Sequence, residues 1–424
     1  MSYKDDRINQ RYIQSHVDEV LPLLTMKFLS DKQEEAKENP NAFIQKYGFQ
    51  FRDYELFTNI MKKQKNNDDT YMSDIKSAII ALKNSHQNYI REIYSKIEEE
   101  KIEEELLEAV INKLEKTDDI SELVDNLLFH YEKYNRYLHN PHIQPASMMS
   151  DLITFNHQTK EVYDPSCGYA RYIIELKTFN KAVLYESEEK RYIHALHNLI
   201  THEIPLDNIT IENKEIITDP DSKRYDTIIS SPHISRQRKL LDEGNKKAKF
   251  DRNPFLTYLK NLYDHLSDEG KLVTSTTHGV MVKRDSYDFR KLLVEENHLD
   301  TIIQLSELNP TNSAILIINK NKETEDILFI DAEDMNIRFN KELSEKIINT
   351  YKKRKTTRGF STILTKEQII KNDYKLNPKR YVYNLEYEEK DIELLKKEQH
   401  EYTIQVRDLD EKINDLLGEL SKHE

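Results

Sequence analysis

Between residues 160 and 332 the chain repeats one pattern, in which short apolar runs alternate with helix-like stretches. The runs are Val162-Tyr163, Ala182-Val183-Leu184-Tyr185, Thr227-Ile228-Ile229, Leu272-Val273-Thr274, Thr301-Ile302-Ile303, Ala314-Ile315-Leu316-Ile317-Ile318 and Ile327-Leu328-Phe329-Ile330. Few folds accept strand and helix in that alternation. It predicts a doubly wound, mainly parallel α/β sheet. Ligands of such sheets sit at the carboxyl ends of the strands, near the point where strand order reverses.

The flanks read differently. From residue 7 to about 135 the spacing is helical: Val17, Leu21, Leu24, Phe28 and Leu29 recur at that spacing, and Ile79, Ile80, Leu82, Tyr89, Ile90 and Ile93 follow further on. An acidic run, Glu98 to Glu105, reads as a solvated helix face. In the tail, Ile392, Leu395, Gln399, Tyr402, Val406, Leu409, Ile413, Leu416 and Leu420 follow 3-4-3-4 spacing. That narrow stripe suits a coiled-coil-like helix docking on a partner. Three parts are expected: an N-terminal helical domain (1–140), an α/β core (141–385) and a C-terminal heptad helix (386–424). A length of 424 residues fits two or three domains.

Composition narrows the function. The formal charge is −13, and affinity for duplex DNA comes largely from Lys and Arg neutralising phosphates. A chain this acidic is expected to bind DNA poorly unless a local basic patch or a partner brings the duplex in. Two basic stretches stand out: Ser235-Arg236-Gln237-Arg238-Lys239, and Tyr351 to Lys355 with Arg358. The single cysteine, Cys167, excludes an intramolecular disulfide and a cysteine-based zinc site. The charged start of the chain and the lack of any long apolar stretch predict a cytoplasmic protein without a membrane segment.

One segment carries the pattern of a ligand loop. Asp164-Pro165-Ser166-Cys167-Gly168-Tyr169-Ala170 follows a strand and opens a helix. A carboxylate at a strand end, followed by a turn that lets backbone approach a ligand, is how such sheets hold nucleoside cofactors. Glu186 ends the next strand, where an acidic side chain can hydrogen-bond both ribose hydroxyls.

These residues resemble a known family, the methyltransferase (M) subunits of type I restriction–modification systems, which methylate adenine N6 in DNA. The 164–170 segment is similar to the family's cofactor loop, Asp-Pro-x-Cys-Gly-x-Gly, with Ala170 in place of the last glycine. Leu23 to Lys32 resembles the family's N-terminal helical motif, and His142-Ile143-Gln144-Pro145 stands where it has Phe-Tyr-Thr-Pro. Tyr192 and Asn198 fit Tyr-x5-Asn-Leu, Ser313 to Lys320 resembles the late strand, and Asp373 to Val382 is close to the closing Asn-Tyr-x-Leu-Asn-Pro-x-Arg-Tyr signature. The matches run in order over nearly the whole chain.

The resemblance implies a Rossmann-like S-adenosylmethionine-dependent methyltransferase core. It implies that Asp164, Pro165, Cys167, Gly168 and Glu186 bind the cofactor. Where the family has Asn-Pro-Pro-Phe, this chain has Ser231-Pro232-His233-Ile234. In the family the Asn oxygen and a proline carbonyl accept hydrogen bonds from the target amine, and the aromatic ring stacks on the flipped base. Here Ser231 keeps one acceptor, a form similar to cytosine-N4 enzymes. His233 alters the backbone that aims the carbonyl, and Ile234 removes a stacking platform worth about 1–3 kcal/mol. Arg236, Arg238 and Lys239 lie where the family's DNA-facing loop would be.

By this resemblance the partners are DNA, reached through a specificity (S) subunit, and a restriction subunit. Two expectations follow: an adenine-N6 methyltransferase impaired by its altered motif, or a catalytically inactive paralogue serving as scaffold or regulatory partner of an S subunit.

Overall fold

The computed structural model describes residues 12–117, 119–134, 143–176, 178–215, 222–231, 254–305, 314–333, 340–383 and 389–420. The N-terminal part is helical, with α1 (Val17–Glu35), α2 (Pro40–Tyr47), α3 (Phe57–Lys65), α4 (Tyr71–Lys83), α5 (Asn88–Ser95), α6 (Glu104–Leu114) and α7 (Ile120–Tyr134). Helix α1 is the centre of this layer: every residue from Val20 to Met26 is buried. Pro22 lies inside that helix, and its carbonyl accepts a hydrogen bond from Tyr94 Oη at 2.8 Å.

The acidic run is solvated, but it is not one helix. A 3-10 turn spans Glu99–Lys101, and α6 starts only at Glu104. Crowding like charges along one helix face is unfavourable. Glu99 and Glu100 instead turn back to form ion pairs with Lys83 and Lys76 of α4.

Beyond α8 (Ile143–Thr154) the described residues build a nine-stranded sheet, with α9 (Arg171–Glu175), α10 (Glu189–Thr201), α11 (Pro254–Asp264), α12 (His278–Val282), α13 (Tyr287–Glu295), α14 (Lys341–Lys353), α15 (Lys366–Lys371) and α16 (Pro378–Val382) among its connections. The strands are β1 (Glu161–Asp164), β2 (Lys181–Tyr185), β3 (Ile209–Glu212), β4 (Tyr225–Ser230), β5 (Leu266–Thr276), β6 (Leu299–Leu305), β7 (Ala314–Asn319), β8 (Ile327–Ala332) and β9 (Ser361–Leu364). They lie in the order 3-2-1-4-5-7-6-8-9. All pairings are parallel except those of β7 with β5 and β6, and of β9 with β8.

Each apolar run of the sequence forms a strand or part of one. Strands β6 and β8 are buried along their whole length, and β7 all but its last residue, as expected of strands covered on both faces. Strands β3 and β9 lie at the two edges of the sheet and are only partly buried. Four residues of mixed polarity give little periodic signal, and pairing with β2 and β8 decides their conformation.

Two hydrophobic clusters pack on the sheet and a third fills the helical layer. The third does not stop at the helices: it takes in Tyr169 of the 164–170 loop and Tyr192, Leu196 and Ile200 of α10. After residue 388 the chain forms one long helix, α17 (Glu389–Leu420). No helix among the described residues is long and apolar enough to cross a membrane.

Candidate active site

Strand order reverses between β1 and β4. From β1 the chain moves outward to β2 and β3, then returns to lay β4 on the other side of β1. The carboxyl ends of β1 and β4 therefore border one crevice. Asp164 ends β1 and Ser230 ends β4.

Asp164 is completely buried. Its Oδ1 accepts hydrogen bonds from the Ser166 amide at 3.2 Å and from Ser230 Oγ at 2.9 Å. Its Oδ2 is buried with no hydrogen-bond partner among the described residues. Burial pushes the Asp164 carboxyl up to about 7, because a buried carboxylate loses the hydration that favours its charge. Ser230 Oγ also lies 3.0 Å from Tyr258 Oη of α11, and Ser231 Oγ lies 2.8 Å from Ser275 Oγ of β5. Sequence reading missed Ser230, Tyr258 and Ser275. Pairing of β4 with β1 and β5 brings Ser230 and Ser275 to Asp164 and Ser231, and packing of α11 against the sheet adds Tyr258.

The loop after β1 is fixed at both sides. The Cys167 amide donates to the Tyr185 carbonyl at 3.0 Å, and the Gly168 amide donates to Glu186 Oε2 at 3.1 Å. Glu186 is buried at the end of β2; its Oε1 accepts from the Glu188 amide at 2.8 Å, and Arg191 Nη1 lies 3.9 Å from Oε2. Sequence-predicted residues Asp164, Cys167, Gly168 and Glu186 thus meet in one place, with Pro165 between them. Burial raises the Cys167 thiol well above its ordinary range, which leaves it a packing residue rather than a nucleophile.

Gly168 has φ 56° and Ala170 has φ 57°. Ala170 therefore holds the left-handed conformation that a glycine adopts without cost and that strains a residue with a Cβ. Tyr169, between them, points away from the sheet into the helical cluster, with the Arg191 guanidinium 5.5 Å from its ring. The Tyr169 carbonyl accepts a hydrogen bond from Asn198 Nδ2 at 2.8 Å.

Pro232, His233, Ile234, Arg236, Arg238 and Lys239 lie outside the described residues. In the other basic stretch, Tyr351 and Arg354 are turned inward: Tyr351 Oη donates to Asp300 Oδ2 at 2.9 Å and Arg354 Nη1 to Asp300 Oδ1 at 2.6 Å. Lys352, Lys353, Lys355 and Arg358 remain exposed. Among the described residues no group of three or more His, Cys, Asp or Glu side chains is disposed to hold a metal ion.

The crevice thus joins a buried carboxylate oxygen without a partner, a second carboxylate at the end of β2 and two hydroxyls at the end of β4. That set suits a ligand carrying both a cationic amine and a hydroxyl pair. Residues 142–390 match the family model described as N-6 DNA Methylase. The chain belongs to the N-6 DNA methylase family.

Relatives of this methylase-family chain include the type I restriction enzyme MjaVII methylase subunit of Methanocaldococcus jannaschii, 28% identical over 308 residues, which are 61% of this chain and 51% of the relative. The HindI methylase subunit of Haemophilus influenzae is 23% identical over 319 residues, covering 66% of this chain and 71% of the relative. The chain spans about half the length of the two Methanocaldococcus relatives it matches. Its fold is similar to the crystal structure of the type I restriction-modification system methyltransferase subunit from Streptococcus thermophilus. That likeness has a TM-score of 0.67 at 20% identity and covers 89% of this chain and 95% of the other. The resemblance read from the sequence is matched by these relatives.

Proposed function

We propose that the chain is an M-type subunit that binds S-adenosylmethionine and presents a target amine to it at the β1/β4 crevice. The observation that carries this reading is the Ser230 Oγ–Asp164 Oδ1 hydrogen bond of 2.9 Å, which ties the residue just before the acceptor motif to the cofactor loop. The partnerless Asp164 Oδ2 fits the α-amino group of the cofactor, and Glu186 fits its ribose hydroxyls. Asp164, Gly168 and Glu186 would hold it. When bound, S-adenosylmethionine supplies the electrophilic methyl group. The chain's own part is positioning: Ser231 Oγ and the Pro232 carbonyl accept hydrogen bonds from the amine and orient it. Target sequence and DNA affinity reside in a specificity subunit, docked through the α17 heptads, with the 235–239 basic stretch meeting phosphates. The division into residues 1–140, 141–385 and 386–424 belongs to the same proposal, as does a cytoplasmic location.

A second reading, an inactive scaffold for an S subunit, is favoured by Ala170, which carries a methyl group at a left-handed φ of 57° in the loop proposed to approach the cofactor. Calorimetric titration with S-adenosylmethionine separates the two. The enzyme reading expects saturable binding that Glu186→Ala weakens at least tenfold. Heat that does not saturate, in a protein that still captures an S subunit, leaves the scaffold.

A further inference from the structure

The cofactor loop leads directly into α9, and that helix has only five residues. No side chain caps its start, where Ala170 has left-handed φ and ψ. A helix so short does not hold itself in place in water. Its first residue, Arg171, is almost completely buried, and the guanidinium Nη1 forms an ion pair of 2.5 Å with Asp125 Oδ1. Asp125 belongs to α7, in the helical layer and far away in sequence. Its other oxygen, Oδ2, lies 3.3 Å from His202 Nε2, just beyond α10. His202 is fixed in turn, its Nδ1 lying 2.9 Å from the Asn198 carbonyl. Glu175 of α9 also faces Arg171, and burial raises its carboxyl.

Burial pushes the Asp125 carboxyl up, but its contacts with His202 and Arg171 outweigh this and hold it below its ordinary range. The same loop is gripped two residues earlier, where Tyr169 enters the helical cluster and its carbonyl meets Asn198. Both attachments come from outside the sheet. A guanidinium buried beside a loop needs its counter-ion, since an unpaired buried charge is strongly unfavourable.

We propose that Asp125 is a positioning residue for the cofactor loop, acting from the helical layer through Arg171 to hold Gly168 and Ala170 against Glu186. The cofactor part of this inference rests on the function proposed above; the ordering of the loop does not. It makes the helical layer a working part of the cofactor site rather than an attachment to it.

The test is amide hydrogen exchange on the full chain, comparing Asp125→Asn with the parent, alongside titration with S-adenosylmethionine. The amides of Cys167, Gly168 and Ala170 are hydrogen-bonded to Tyr185, Glu186 and Cys167, and they report the loop. We expect their exchange in Asp125→Asn to rise about tenfold or more relative to β7, with a similar loss of cofactor affinity. Asp125→Glu should recover part of both. Arg171→Gln combined with Asp125→Asn should be no worse than the poorer single variant, as for residues acting through one contact. Equal acceleration in the loop and in β7 would mean a merely structural pair and overturn the proposal, as would additive losses. A parent protein that takes up no S-adenosylmethionine defeats the functional reading alone, because the exchange ratio still decides the role of Asp125. If Asp125→Asn does not fold, Arg171→Lys, which keeps the charge but loses the planar fork, is read by the same ratio.

Discussion

Helices α10 and α17 invert the usual relation between polarity and burial. Helix α10 carries Arg191, His194, His197, Asn198 and Thr201, all buried. Helix α17 carries an apolar seam, yet Tyr402 is 66% exposed, Val406 and Leu409 58%, and Ile413 52%. The difference lies in partners. Several polar groups on α10 meet one from the helical layer: His194 Nε2 with Asp18 Oδ1 at 2.9 Å, His197 Nδ1 with Thr25 Oγ1 at 2.7 Å, Tyr192 Oη with Glu92 Oε2 at 2.8 Å. A buried polar group is tolerable when it is hydrogen-bonded. The seam of α17 has no such cover in its described part, and it is the stripe proposed to dock a specificity subunit. What a helix buries therefore depends on what faces it, and α17 faces outward.

Acid titration would break this comparison most forcefully. Burial holds the His197 imidazole down to about 3, with His194 adding to the effect and Asp18 opposing it. A histidine with a depressed folded pKa contributes stability that is complete above its unfolded value, near 6.5, and is lost as pH falls toward 3. At about 1.4 kcal/mol per unit, the limb spans roughly 5 kcal/mol. Urea denaturation of His197→Gln across that range should show a flatter slope. An unchanged slope would mean that His197 does not stay neutral in the folded chain. Asp18 works in the opposite part of the scale: its hydrogen bond to His194, burial notwithstanding, holds it near 2, so its contribution is lost as pH falls from about 4 to 2.

A smaller effect should follow from Asn198→Ala. The Tyr169 carbonyl loses its donor, and an unmet buried group costs about 1–3 kcal/mol. A thermal unfolding midpoint equal to that of the parent would show that this contact stabilises nothing. Smaller again, and of opposite sign, is Ala170→Gly. Relief of the left-handed strain should stabilise the folded chain by about 1 kcal/mol, and cofactor affinity should rise because the loop loses a methyl group. A loss of stability would contradict the strain argument. Least of all, Leu409→Ala on the exposed seam should change the stability of the isolated chain by under about 0.5 kcal/mol, yet weaken capture of a co-expressed specificity subunit. A large fall in the stability of the isolated chain would show that the seam packs on its own core.

The sequence was informative where one residue pattern had one physical solution. Ala314 to Ile318 could only be a strand covered on both faces, and Asp164 with Glu186 could only stand at successive strand ends. Val17, Leu21, Leu24, Phe28 and Leu29, at helical spacing, pointed to a helix with a buried face in the N-terminal part. The family resemblance was legible because its motifs occur in order along the chain. Strands β3 and β9 were not legible, since four residues at a sheet edge take their conformation from a neighbour.

Other features belong to the tertiary structure alone. Ser230 meets Asp164 and Ser231 meets Ser275 because β4 lies between β1 and β5, an adjacency that no local signal encodes. The pairing of Asp125 with Arg171 joins side chains that neither periodicity nor charge pattern links. Local sequence fixes which way a backbone runs and which face is apolar, through sterics and hydration. Contacts between distant residues form only when those faces are packed together, and it is there that the candidate site takes shape.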